Sequence, residues 1–160
     1  MKSRDTACNE FWGAYRHRSV HGGGIRNASA KERIADLSLI TEFIAHVSRE
    51  IGYFSTPLPD VMRSFGKFGE RRACFADSLT RDPESAVGEL ALCEDDKKLF
   101  REFFALLGKG YSDAEVRMCR SYGERFGARL EEEKSEYSRT AKVRSMTALL
   151  AGTAIAILFI

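Results

Sequence analysis

The first long pattern in the chain is a stripe of apolar residues at spacings of three and four. It runs through residues 34–51, as expected for one face of an amphipathic helix. Ser29 and Glu32 precede it as an S-x-x-E capping box, in which each side chain satisfies an N-terminal backbone N–H near the other residue. The spacing predicts a helix from about Ser29 to Tyr53, whose polar face carries Lys31, Asp36, Glu42 and Arg49.

Shorter helical patterns follow, separated by proline and glycine. Thr56 is predicted to cap the second helix and Pro57 to occupy its first position, where the missing N–H costs nothing. Three carboxylates begin the fifth helix, where the positive end of the helix dipole stabilises negative charge. The pattern predicts that helices two to five begin near Pro57, Glu70, Asp82 and Glu94.

The fifth helix is the most apolar of the set, and we expect it to lie at the centre of a bundle. Burial of an apolar side chain stabilises the fold by about 1.5–3 kcal/mol. The six side chains predicted to be buried are Leu99, Phe100, Phe103, Phe104, Leu106 and Leu107.

A final helix is predicted from Ser112 toward Ile160, with a second capping box at Ser112 and Glu115. Its middle is polar, with acids from Glu131 onward, and the bases Arg139, Lys142 and Arg144 follow.

The stretch 145–160 has no charged residue and is apolar all round. As a helix it spans about 24 Å, against a hydrocarbon core of about 30 Å. We expect a transmembrane helix here, with the three bases on the cytoplasmic side. The alternative is a buried terminal helix of a soluble fold, which the polar stretch before it argues against.

These patterns predict an all-α protein, a bundle of about six helices with a C-terminal transmembrane helix. Residues 1–28 are expected to be a flexible polar leader, 29–144 a cytoplasmic helical bundle and stalk, and 145–160 the membrane segment.

Candidate chemistry is sparse. The net charge of +2 gives no indication of nucleic acid binding. The four cysteines form no C-x-x-C pair, and we interpret them as free, small hydrophobic residues in a reducing compartment. Cys8, His17 and His21 make a weak metal set, and His46 is interpreted as a surface or hydrogen-bonded histidine. We expect no cofactor, no metal site and no enzymatic activity.

Three segments resemble one known family. Residues 50–60 (EIGYFSTPLPD) resemble the E-I-x-Y-x-x-T-P-L-P-E segment of stage III sporulation protein AB. Leu107-Gly108 with Asp113 is similar to its L-G-x-x-D connection. Arg144-Ser145-Met146 and the apolar run after it resemble its R-S-L-G-V-L-x-G ending. The resemblance covers about residues 29–160.

The resemblance implies a membrane protein of endospore-forming bacteria, made in the mother cell. Such proteins belong to the oligomeric assembly that links mother cell and forespore, together with other proteins of the stage III A operon. Their soluble domain is similar to the F-type platform domain of type II secretion machines and works beside a cytoplasmic ATPase. A scaffold in the mother-cell membrane facing the forespore, with most of the chain cytoplasmic, is therefore expected.

The family typically begins with a transmembrane helix, whereas residues 1–27 here are polar and glycine-rich. Either the leader has diverged or the assigned start is wrong, and the chain as given predicts a single membrane segment. The matching turn residues build the turn or bind a partner: Tyr53, Thr56, Pro57, Leu58 and Pro59.

Two other functions remain open from sequence. A tail-anchored helical adaptor unrelated to sporulation fits the same physical pattern. A small metal- or redox-dependent enzyme using Cys8 and His17 is the more remote alternative.

Overall fold

The protein is a bundle of helices with no strand among the residues that its structure describes. The computed structural model describes residues 25–109 and 112–158, with side chains from 29–109 and 112–143. The all-α prediction is confirmed. The six helices in that part of the chain are α1 (Ile25–Phe54), α2 (Leu58–Gly66), α3 (Glu70–Arg81), α4 (Pro83–Glu89), α5 (Glu94–Leu106) and α6 (Ser112–Leu158).

The predicted starts of α3, α4, α5 and α6 agree with the structure to within one residue, whereas α1 begins several residues before its predicted start. Helix α1 begins at Ile25, so Ser29 lies inside the helix and the first predicted capping box is wrong. Residues 25–28, assigned to the leader, belong to this helix. Asp82 does cap α4, because its side chain accepts a hydrogen bond from Ser85 N–H at 3.2 Å.

Helices α1 and α6 lie antiparallel along their lengths. A methyl group on Gly52 would lie 3.1 Å from Val116 Cγ2, so the Val116 side chain of α6 packs closely against the α1 backbone there. Toward the other end of the pair, Arg33 of α1 forms an ion pair with Glu133 of α6. The C-terminal end of α1 therefore lies beside the start of α6, and the later residues of α6 extend past the start of α1.

The core centres on a cluster of phenylalanine rings around Phe100 of α5. Its ring centroid lies 6.2 Å from that of Phe43 in α1, 6.1 Å from Phe75 in α3 and 6.2 Å from Phe126 in α6. Such separations suit edge-to-face and offset contacts between rings. Phe100 thus joins four helices, which agrees with the central position predicted for α5.

The six apolar side chains predicted to be buried in and after α5 differ in their exposure. Phe100, Phe103 and Leu107 are buried, and Leu99 and Phe104 are partly buried against the core. Leu106 is 49 % exposed, so its predicted burial is wrong. It belongs to the last turn of α5, on the side away from the core.

Asp36 was predicted on the polar face of α1 but is buried, with 1 % of its surface exposed. Its carboxylate forms an ion pair with Arg71 of α3 and accepts a hydrogen bond from Ala91 N–H at 2.8 Å. Burial raises the pKa of this carboxyl group against the opposing effects of the Ala91 and Arg71 contacts. Asp36 therefore connects α1 to α3 and to the loop between α4 and α5.

Helix α6 continues through the apolar stretch as far as Leu158. Across residues 25–109 and 112–158, however, no helix is both long enough and apolar enough to cross a membrane. The transmembrane helix predicted over 145–160 is therefore not supported.

Candidate functional site

The turn between α1 and α2 presents two large aromatic side chains to solvent. Tyr53 is 82 % exposed and Phe54 is 69 % exposed. Phe54 follows Ile51 by three positions, so it continues the apolar stripe of α1. It is exposed because Ser112, the first residue of α6, lies level with Ile51: its Oγ donates a hydrogen bond to Ile51 O at 3.3 Å. Helix α1 therefore extends about one turn past its partner helix.

Hydrogen bonds from Ser55 and Thr56 close the C-terminal end of α1. Ser55 N–H donates to Ile51 O at 3.2 Å, and Thr56 N–H donates to Glu50 O at 3.3 Å. Thr56 Oγ1 also donates to Glu50 Oε2 at 3.3 Å. Ser55 has a φ of 49°, a left-handed conformation that costs about 1–2 kcal/mol for a residue with a Cβ. The chain thus reverses in one fixed, slightly strained conformation.

The prolines then start α2. Pro57 is the N-cap rather than the first helical residue, and its carbonyl oxygen accepts from Asp60 N–H at 2.9 Å and Val61 N–H at 3.1 Å. The predicted cap by Thr56 is wrong, since its hydroxyl turns back to α1. Leu58 is half-buried against the core, whereas Pro59 is exposed.

The five predicted site residues therefore divide into two groups. Thr56 and Leu58 make contacts that hold the turn together, whereas Tyr53, Pro57 and Pro59 face solvent. Sequence reasoning missed Phe54, and the continuation of the α1 stripe past the start of its partner was the signal for it.

The connection from α5 to α6 lies at the same end of the bundle as this turn. A Cβ on Gly108 would lie 3.8 Å from Leu58 Cδ2, and the φ of Gly108 is 81°, which suits glycine. The exposed Leu106 precedes it. We call the resulting surface the apolar end. Its members are Tyr53, Phe54, Pro57, Pro59 and Leu106.

Beside the apolar end, the start of α2 carries an exposed ion pair. Arg63 Nη1 lies 2.7 Å from Asp60 Oδ1, and the two side chains are 73 % and 51 % exposed. Exposed pairs of this kind contribute about 0–1 kcal/mol to stability. Both charges are thus available to a partner at little cost to the fold.

His46 of α1 is buried and hydrogen-bonded. Of the two interpretations from sequence, the hydrogen-bonded histidine is the correct one. Arg49 Nη2 donates to His46 Nδ1 at 3.0 Å, because a guanidinium has no acceptor. The ring proton is therefore on Nε2, which donates to Ser64 Oγ at 2.7 Å, and Ser64 Oγ donates to Val61 O at 2.9 Å. Burial lowers the pKa of His46, so the neutral ring is part of the packed structure.

The cysteines only partly follow the interpretation as free hydrophobic residues. Cys119 is free and buried, and burial raises its pKa to about 11. Cys93 is free but exposed, and its Sγ donates to Asp96 Oδ2 at 3.0 Å. Cys74 is disulfide-bonded, so the prediction of a free thiol is wrong there.

The described residues contain no group of three or more His, Cys, Asp or Glu side chains placed to hold a metal ion. The weak candidate set of Cys8, His17 and His21 lies outside them. The exposed surface that stands out in the described part of the chain is thus the apolar end.

Comparison with known proteins places the chain in a family. The model of stage III sporulation protein AB matches residues 70–160, which is more than half of the chain. No curated protein and no solved structure matches it. The family match begins after the turn at 53–59, so the resemblance of that turn and the likeness to a secretion platform domain remain predictions. On the family match, this protein belongs to the stage III sporulation protein AB family, a family of structural sporulation proteins.

Proposed function

We propose that this protein is a membrane-associated scaffold of the assembly that joins mother cell and forespore, and that it serves as a platform beside a cytoplasmic ATPase. Membership of the sporulation family implies a role in sporulation. The scaffold and platform roles go beyond that membership and rest on the arrangement of two surfaces at opposite ends of the α1–α6 pair.

The single observation that carries the proposal is the exposure of Tyr53 and Phe54, at 82 % and 69 %. Exposed apolar surface on a small soluble bundle is typical of a protein interaction site. Tyrosine is also enriched among the residues that contribute most to binding energy. The hydrogen bonds of Ser55 and Thr56 hold this surface in one orientation, which lowers the entropic cost of binding.

The position of the apolar end supports a platform. It lies at the start of α6, whereas the apolar stretch after Arg144 lies at the far end of that helix. If that stretch rests against a bilayer, the apolar end faces away from it. A cytoplasmic partner then reaches Tyr53 and Phe54 without steric hindrance from the membrane.

Partner capture tests this directly. In a pull-down with the ATPase encoded in the same operon, the double variant Tyr53→Ser/Phe54→Ser is expected to lose capture while its helicity by circular dichroism is unchanged. Phe68→Ser is the matched control, because Phe68 is 61 % exposed but lies in the turn after α2. Full capture by the double variant would restrict the turn to a structural role.

The ion pair at the start of α2 gives a second test of the same surface. The double charge reversal Asp60→Arg/Arg63→Asp preserves an i,i+3 pair but reverses the charges that a partner meets. We expect normal helicity and loss of ATPase capture. Unchanged capture would place the partner's contact away from α2.

The adaptor unrelated to sporulation is not favoured, because the family match runs through residues 70–160. Gene neighbourhood tests the choice: an ATPase gene directly upstream and genes for small membrane proteins downstream are the expected result for the channel scaffold, and their absence would contradict it. Fractionation tests membrane association: the full-length protein is expected in the membrane pellet of a detergent-free lysate, and recovery as a monomer in the supernatant would contradict it.

A further inference from the structure

Exposed basic side chains lie near the end of the described part of α6, and they indicate which class of lipid this protein contacts. Arg139 and Lys142 are three residues apart on one helix, and both are exposed. Lys31 of α1 is exposed at the same end of the bundle, with its Nζ 6.0 Å from the centroid of the Tyr137 ring. We call Lys31, Arg139 and Lys142 the basic collar.

The acids of α6 lie on one side of this collar. Glu133 is paired with Arg33 and Glu131 with Lys134, and Glu136 stands one turn before Arg139. From Tyr137 to Ile160 the sequence has no Asp or Glu. From Glu131 onward along α6, the charged residues are therefore mostly acids as far as Glu136, with Lys134 among them, then bases, and uncharged residues follow.

We propose that the basic collar binds the anionic headgroups of a lipid bilayer while the apolar residues after it enter the lipid. This inference rests on the membrane association proposed above and adds the class of lipid. The charge order along one continuous helix carries it. A base next to an apolar stretch can place its charge among the headgroups and its aliphatic stem in the apolar layer. The acids are then held away from the negative surface.

The direction of α1 agrees with this arrangement. Because α1 runs antiparallel to α6, its N-terminal end is at the collar, and its first turn has no acidic residue. A nucleic acid would also be attracted to these basic side chains, but it would not bind the apolar stretch that follows them.

Binding of the full-length protein to vesicles tests the inference. The two vesicle types are phosphatidylcholine alone and an equimolar mixture of phosphatidylcholine with phosphatidylglycerol. Wild type is expected to prefer the anionic vesicles, and added salt is expected to weaken that preference. In Arg139→Gln/Lys142→Gln, partitioning into anionic vesicles is expected to fall about thirtyfold, since each base near the surface contributes about 1 kcal/mol.

Arg117→Gln/Arg120→Gln is the matched control. These arginines are also exposed, also three residues apart and also on α6, but they lie at its opposite end. The control variant removes the same charge, and its partitioning is expected to stay close to that of wild type. Equal losses in the two double variants would show that net charge, and not the collar, drives binding.

The outcomes separate this inference from the proposed function. Equal binding of wild type to both vesicle types would overturn the lipid preference and leave membrane association standing. Binding to neither type would overturn both. Binding to a DNA duplex but to neither vesicle type would identify the collar as a nucleic acid surface and contradict the lipid inference.

Discussion

Phe100 and Phe54 both belong to apolar stripes of helices in one bundle, yet Phe100 is 0 % exposed and Phe54 is 69 % exposed. Phe100 lies where α1, α3 and α6 all cover α5. Phe54 lies about one turn past the level at which α6 begins. An apolar position is thus buried only where another helix reaches it, so the overlap of neighbouring helices decides whether an aromatic residue stabilises the fold or is available to a partner.

The strongest test of this comparison is truncation of both rings. Phe100→Ala is expected to lower the free energy of unfolding by about 3–5 kcal/mol, through lost burial and the cavity left among the surrounding rings. Phe54→Ala is expected to change it by less than about 0.5 kcal/mol, as for other exposed positions. Urea unfolding monitored by circular dichroism measures both, and similar losses in the two variants would contradict the division into core and interaction surface.

Substitution of a polar group is also expected to cost more stability in the core than at the exposed start of α2. Asp36→Asn keeps an acceptor for Ala91 N–H but removes the charge opposite Arg71, and it is expected to cost about 1–3 kcal/mol. Asp60→Asn breaks an exposed pair and is expected to cost less than about 1 kcal/mol. A neutral effect of Asp36→Asn on urea unfolding would show that desolvation of the buried charge cancels its contacts.

His46 makes the stability of the interior depend on pH. Burial lowers its pKa in the folded state, whereas the unfolded chain titrates near pH 6.5. Stability is therefore expected to be complete above about pH 6.5 and to fall as the pH is lowered toward the folded pKa, because the unfolded state takes up the proton first.

The comparison of wild type with His46→Gln isolates this contribution, measured as the free energy of unfolding at a series of pH values. The slope below about pH 6.5 should be smaller in the variant. The raised pKa of Asp36 acts in the opposite direction at lower pH, but it is present in both proteins and cancels in the difference. Identical slopes would contradict the assignment to His46.

The smallest expected effect concerns the turn itself. Ser55→Gly relieves the left-handed conformation at φ 49°, but glycine also gives the unfolded chain more freedom. A net gain of less than about 1 kcal/mol in unfolding free energy is therefore expected. A loss of stability in thermal or urea unfolding would show that the Ser55 side chain contributes something besides its backbone conformation.

Periodicity and breakers in the sequence predicted the order of the helices, because each depends on neighbours in the chain. The boundary at Asp82-Pro83 was correct for that reason. The start of α1 was not, since an S-x-x-E pattern also occurs inside helices and local sequence does not distinguish the two cases. Contacts that depend on distant segments were missed, and the burial of Asp36 by Arg71 and the 90–91 loop is the clearest example.

The candidate site was predicted in part. The turn motif pointed to Tyr53 and its neighbours, but the exposure of Phe54 follows from where α6 begins. That level is a property of the packed bundle. Similarly, the apolar character of 145–160 was visible in the sequence, but no helix among residues 25–109 and 112–158 is both long and apolar enough to cross a membrane.

The unbroken course of α6 has a geometric consequence. From Ser112 to Val143 the helix rises about 47 Å at 1.5 Å per residue. One continuous helix therefore sets the distance between its two ends. A partner bound to Tyr53 and Phe54 would therefore lie about that distance from the surface that binds the other end of α6. Each residue inserted between Val143 and the apolar stretch would lengthen the helix by about 1.5 Å and rotate the bundle about the helix axis by about 100°. The distance of the bundle from the apolar stretch and its orientation would therefore change together.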